Sequence, residues 1–173
     1  QAGDAAVSTS NNTVMGYNAL TSNVYGSSNI AIGTNALYTS VSDGRCVAIG
    51  HGALYTANQG GTSASNTYNI GIGHNAGYAT TTADKNTFIG GLAGDTVTLG
   101  SDNVVLGYNA LGNAVEDSRN VAIGHEALRQ LNYRDGSPTG DTEYSTNNTA
   151  IGYNAGHQIT TGIYNTLIGA YAG

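Results

Sequence analysis

The residues of this chain with chemistry to offer are few, and most follow a spacing rule. His51, His74 and His125 each come directly after a glycine, at the position that Tyr17, Tyr108 and Tyr153 hold in sister stretches of the same pattern. Imidazoles in a row are what a zinc or copper site would use, but no carboxylate shares their phase, so the exchange of His for Tyr predicts packing and no metal. His157 stands apart from that row. Ser, His and Asp are all present, yet nothing resembles a nucleophile elbow. The carboxylates scatter over different phases instead of converging as a hydrolytic pair would, so neither catalysis nor a cofactor is expected. Gly60-Gly61 lacks the aspartates of calcium-binding nonapeptides, and Gly90-Gly91 lacks the lysine of a phosphate loop; both are turns. Cys46 is the only cysteine, which rules out an intrachain disulfide. A buried free thiol is expected there, with an interchain bridge as the sharper alternative.

Recognition chemistry concentrates in one place. Around 130–146 the chain carries Tyr133, Arg134, Asp135, Pro138, Asp141, Glu143 and Tyr144, where the remaining sequence is bland. Tyrosines with flanking acids and an arginine can stack on sugar rings and bond their hydroxyls, so Tyr133, Arg134, Asp135, Asp141, Glu143 and Tyr144 form a candidate binding loop for a surface glycan. The alternative is a tolerated insertion without function.

The elements that must carry these residues come from a repeat. Nine times the chain writes Asn, two or three small or apolar residues, Ile and Gly, then Asn-Ala-Leu or Asn-Ala-Gly, with variations. The anchor glycines Gly16, Gly33, Gly50, Gly73, Gly90, Gly107, Gly124, Gly152 and Gly169 lie 17, 17, 23, 17, 17, 17, 28 and 17 residues apart. The period is therefore 17, with insertions of 6 and 11 near 57–68 and 130–146 that must bulge from a coil corner. Gly and Asn punctuation at this period forbids long helices, while strand, turn, strand, turn fits.

The residue before each anchor glycine is Ile, Leu or Met, and a Thr, Ile or Val stands two residues earlier, so the two share one strand face. Between them come Val14, Ala31, Ala48, Gly71, Phe88, Val105, Ala122, Ala150 and Leu167, none polar, which predicts a strand buried on both faces. An alanine three residues after each glycine, then Leu or Gly, suits a tight corner into a second, more polar strand. Each unit reads as one coil of an all-β, parallel β-solenoid or β-roll of about ten 17-residue coils.

Asn12, Asn29, Asn69, Asn86, Asn103, Asn120, Asn148 and Asn165 open eight of the nine copies and would stack as an amide ladder or hold the turn by an Asx bond. Lys85, Asp102 and Arg119, again 17 apart, would alternate in sign up the stack. Few large apolar residues per coil leave a thin stack marginal by itself, so one strand face is expected to fill the chain's own core and the other to pack between chains. Three chains are the simplest closed arrangement about a fibre axis.

Composition sets the compartment. Only 9% of the residues are charged, the net charge is −6, and Gly numbers 26 against one Pro. Five scattered basic residues give no electrostatic footprint for nucleic acid or anionic membrane. No apolar run is long enough to insert in a bilayer. Gln1-Ala2-Gly3 and Ala172-Gly173 stand in the same phase of the repeat, which predicts that coils continue beyond both ends.

At Asn29–Gly33 (Asn-Ile-Ala-Ile-Gly), Asn120–Gly124 (Asn-Val-Ala-Ile-Gly) and Asn148–Gly156 (Asn-Thr-Ala-Ile-Gly-Tyr-Asn-Ala-Gly) the chain resembles the head repeats of trimeric autotransporter adhesins, and the related repeats of bacteriophage tail fibres. The resemblance runs over essentially the whole chain, although the repeats of that family are somewhat shorter than 17 residues. It implies a left-handed parallel β-roll of three intertwined chains, extracellular, on a virion tail fibre or a bacterial surface. Its partners would be two more copies of itself and a host cell-surface glycan or protein. A different class, a monomeric ice- or surface-binding β-solenoid, would use the recurring Asn18, Asn35, Asn75, Asn109 and Asn154, but Gly52, Leu92, Glu126 and Tyr171 interrupt that row.

Overall fold

The computed structural model describes residues 2–3, 9–133 and 144–173. Thirteen short strands and no helix form among them. Nine are three-residue strands, one per repeat: β1 (Thr13–Met15), β2 (Ile30–Ile32), β4 (Val47–Ile49), β6 (Ile70–Ile72), β7 (Thr87–Ile89), β8 (Val104–Leu106), β10 (Val121–Ile123), β12 (Thr149–Ile151) and β13 (Thr166–Ile168). They pair in that order in one parallel sheet with no change of register, so that Val14 lies beside Ala31, Ala48 beside Gly71 and Phe88 beside Val105. The result is a β-solenoid-like stack in which the repeat is the rung.

The predicted second strand is mostly absent, for a conformational reason. Three positions in each full coil sit in the left-handed region. They are the residue before the Asn ladder (Ser28, Arg45, Lys85, Asp102), the residue two after the anchor glycine (Asn18, Asn35, Asn75, Asn109) and the residue four after it (Leu20, Leu37, Leu54, Leu111). A chain turned this often cannot run extended. It still stacks, since Asn35 N–H donates to Tyr17 O (2.9 Å), Leu37 N–H to Ala53 O (3.0 Å) and Thr39 N–H to Tyr55 O (3.1 Å). Polar backbone groups at the corner are thereby satisfied coil to coil. Among the described residues, extended pairing away from the main sheet survives only as β3 (Asp43–Gly44) with β5 (Ser65–Asn66), and β9 (Asp117–Ser118) with β11 (Tyr144–Ser145).

The anchor glycines are needed twice over. Each has φ between 124° and 139°, and a Cβ on Gly33 or Gly90 would lie 2.5 or 2.6 Å from the carbonyl oxygen of the next anchor glycine. Backbones therefore touch at this corner, and only glycine permits it.

The core is filled by small strand residues and by the corner. Ala31, Ala48, Phe88, Val105, Ala122 and Ala150 are fully buried, with Leu20, Leu37, Leu54, Leu111 and Leu128 reaching in from the corner. Volumes compensate between the two positions. Where the strand supplies Phe88, the corners on either side are Gly77 and Gly94, whose Cβ atoms would come within 2.6 and 2.2 Å of the Phe88 ring. Where it supplies Leu167, the corners are Gly156 and Gly173. This exchange of Leu for Gly against a large strand residue keeps the packing dense along the stack.

Candidate interaction surface

The sheet has an inner and an outer wall, and the outer one is apolar. Because strand side chains alternate, burying the middle residue turns its two neighbours outward. Met15 (63% exposed), Leu106 (46%) and Ile168 (70%) stand well into solvent, while Ile32, Val47, Ile49, Ile70, Ile72, Ile89, Val121 and Ile123 are half-buried by one another. Burial on both strand faces is thus not met within one chain: the middle residue of each strand goes in and its two neighbours stay out. Nine rungs at ~4.8 Å and two side chains across make a stripe on the order of 400 Å².

Aromatic rings extend this face. Directly after the anchor glycine, His51 and His74 stack at 5.3 Å, and Tyr108, His125 and Tyr153 stack in series at 5.5 and 5.1 Å. All five rings are exposed, in the row the sequence assigns to packing. A second stack, Tyr38, Tyr55 and Tyr78 at 5.1 and 4.8 Å, escaped the sequence reading. Its signal was present, since these tyrosines repeat the 17 and 23 spacing of Gly33, Gly50 and Gly73.

The asparagines form a hydrogen-bonded ladder inside the coil. Each Oδ1 accepts the backbone N–H of the next ladder residue, as in Asn29 to Asn12 (2.8 Å), Asn103 to Asn86 (2.9 Å) and Asn120 to Asn103 (2.9 Å). In six of them Nδ2 donates to a carbonyl 14 residues on, as from Asn29 to Asp43 O (2.8 Å) and from Asn86 to Gly100 O (2.9 Å), while Asn120 Nδ2 turns to Ser118 O and Asn165 Nδ2 to Asn148 Oδ1. Cys46 replaces one rung. It is fully buried, its Sγ lies 2.8 Å from Thr67 Oγ1, and burial pushes its thiol up to about 11. Such a thiol is inert and out of reach of a second chain in this arrangement.

The charged row holds less than its spacing suggests. Arg119 approaches Asp102 at 4.0 Å, but Lys85 turns to its neighbour Asp84 at 3.0 Å, all at the surface where such pairs contribute little. The row of Asn18, Asn35, Asn75, Asn109 and Asn154 has φ of 53° to 58° and lies on the turn, so it offers no extended strand to match a lattice.

The two insertions are anchored alike. Asp43 and Asp117, both buried, stand three residues before their ladder residues in otherwise similar stretches, Asp43-Gly-Arg-Cys-Val-Ala-Ile-Gly-His51 and Asp117-Ser-Arg-Asn-Val-Ala-Ile-Gly-His125. The Tyr133 N–H donates to Asp117 Oδ1 (3.0 Å), whereas Asp43 Oδ2 accepts from Ser40 Oγ (3.0 Å), with the Gln59 backbone close to the carboxyl. Burial raises both pKa values, that of Asp117 to about 6. The ends of the insertions belong to the coils: Ala57, Thr67, Leu131 and Thr146 are buried, and Ser65–Asn66 and Tyr144–Ser145 pair in ladders. The coil thus closes at both ends of each insertion, within 57–68 and 130–146. In the candidate loop, Tyr133 and Tyr144 meet edge to face at 5.5 Å, while Arg134, Asp135, Asp141 and Glu143 lie outside the described residues. At the first insertion Arg45 lies over the Tyr68 ring, 5.4 Å from its centroid.

Among the described residues no group of three or more His, Cys, Asp or Glu is placed to hold a metal ion. Compared with protein families, curated proteins and solved structures, the chain matches none.

Proposed function

We propose that this chain is a non-enzymatic segment of a long fibre, three copies winding into a left-handed β-roll, of the kind a bacteriophage tail fibre uses to hold a receptor-binding tip away from the particle and present it to a host surface. The same repeats resemble bacterial adhesin heads, and flanking sequence separates the two: a particle-attachment domain belongs to the first, a secretion signal and membrane anchor to the second.

One observation carries the reading. The outer wall of a nine-stranded sheet is lined along its length by Ile, Val, Leu and Met with four Thr among them, next to a row of exposed Tyr and His rings. A contiguous, regular stripe differs from the scattered apolar residues of an ordinary surface and supports reading it as an interface. Covering it stabilises the assembly by about 25 cal/mol per Å² of apolar surface removed from water. An identical stripe on each copy, parallel to the stack, suits closed association about an axis.

Light scattering on the native chain tests this: a mass near three chains is expected, and a stable monomer overturns it. Exchanging Val104 for Thr together with Leu106 for Ser, both on the outer wall, is expected to weaken association while leaving the coil folded.

A further inference from the structure

The aromatic row beside the apolar stripe holds its histidines in two settings. His125 lies between two tyrosines, whereas His51 and His74 are neighbours, on the two rungs joined through the first insertion. Among the described residues, only there do two imidazoles stack, with ring centres 5.3 Å apart and planes 12° from parallel. Both rings are exposed, and no ion pair among the described residues engages either of them.

The backbone beneath the two rings is fixed. The glycines before them touch, since a Cβ on Gly50 would lie 2.5 Å from Gly73 O, and Asn75 N–H donates to His51 O (2.9 Å). Exposed side chains reorient rapidly above such a base. The spacing also suits chelation: two imidazoles on one tetrahedral ion, with metal–nitrogen bonds of about 2.0–2.1 Å, hold their ring centres roughly 5 Å apart. His51 and His74 already stand at that separation, so rotating each ring, with no movement of the backbone, aims one nitrogen of each at a shared ion. A neutral phenol is a far poorer ligand, so His125 between Tyr108 and Tyr153 offers no such pair.

The sequence alone assigns this row to packing because no carboxylate shares its phase, but neighbouring imidazoles supply two ligands without one. Imidazole selects ions such as Zn²⁺, Ni²⁺ and Cu²⁺ over the oxygen-seeking Ca²⁺ and Mg²⁺. The net charge of −6 favours the approach of a cation.

We infer that His51 and His74 form a two-histidine site for a first-row transition cation of this class, with water on its remaining positions. The ion ties together the two ends of the coil that carries the first insertion, 23 residues long instead of 17, and so clips the stack where its repeat is interrupted. The site lies within one chain and does not rest on the fibre reading.

Calorimetric titration of the native chain with Zn²⁺, and with Ca²⁺ as the control, tests this. One Zn²⁺ per chain is expected, and no Ca²⁺ at this site. Tyrosine is a regular occupant of the row, so His51→Tyr and His74→Tyr retain the stack and are each expected to weaken Zn²⁺ binding by about tenfold or more. Tyr153→His, which sets a second histidine beside His125, is expected to create a second site. Saturating Zn²⁺ is expected to raise the melting temperature of the native chain and not that of His51→Tyr. Circular dichroism identifies any variant that loses the coil, and Tyr153→His keeps the test open if the others unfold. No Zn²⁺ bound, or equal affinity in folded His51→Tyr, overturns the site. Binding lost in His157→Gln instead places the ion beside Glu126 and overturns it as well.

Discussion

The two walls of the main sheet are made by the same three-residue strands yet follow opposite rules. On the inner wall, volume is matched rung by rung, Phe88 against Gly77 and Gly94, Leu167 against Gly156 and Gly173, Ala against Leu, with the Asn ladder bonded rung to rung beside it. On the outer wall, Ile, Val, Leu, Met and Thr interchange freely from rung to rung. Close packing within one chain demands complementary shapes; a face that meets an identical face along a whole rod demands mainly apolar character and regular height. The difference teaches which face the fold of one chain shaped, and which it left to the association proposed above.

The comparison breaks most violently at the corner the walls share. Gly90→Ala places a Cβ 2.6 Å from Gly107 O at a φ of 129°, and is expected to cost more than about 4 kcal/mol in denaturant unfolding or to prevent folding. On the inner wall, Phe88→Ala opens a cavity next to two glycines that cannot fill it, at about 3–5 kcal/mol by the same measurement.

Asp117 sharpens the contrast by its pH dependence. Its folded pKa, about 6, lies above the ordinary 3.8, so the folded chain holds a proton that the unfolded chain releases. Its contribution is therefore most favourable below pH 4, declines as pH rises from about 4 to 6, and levels off above. Asp117→Asn keeps an acceptor for the Tyr133 N–H and is expected to stabilise the chain at pH 7 by up to about 3 kcal/mol, flattening the slope between pH 4 and 6 in thermal melts. A variant with the native slope would contradict this account.

Asn103→Ala removes one buried ladder rung and strands the Asn120 N–H, for about 1–3 kcal/mol. Smallest of all for the single chain is Leu106→Ser on the outer wall, within about 0.5 kcal/mol for a solvated monomer. Its effect is expected instead in the concentration dependence of melting, which an associating outer wall produces and a free one does not.

Much of this architecture was legible in the residues. Anchor glycines at a fixed interval named the coil, its insertions and the order of strands, because only a stacked unit repeats a backbone requirement so regularly. The Asn ladder was legible too, though its two-way bonding, Oδ1 to the next rung and Nδ2 to a carbonyl 14 residues on, was not. The second strand was misjudged because period and polarity carry no sign of φ, and three left-handed positions per coil replace it with a stacked turn. The candidate loop was chosen by residue type alone.

By itself the sequence determined the period, the parallel register and the glycine corner, all local demands of backbone conformation repeated at one spacing. Only the tertiary structure decided which strand face turns inward. Hydrophobicity alone favours isoleucine inside and alanine outside, yet corner leucines already occupy much of the narrow interior, so alanines enter beside them and large residues such as Phe88 and Leu167 enter where glycine corners leave room. Volume settles that choice, and volume is a property of the closed coil.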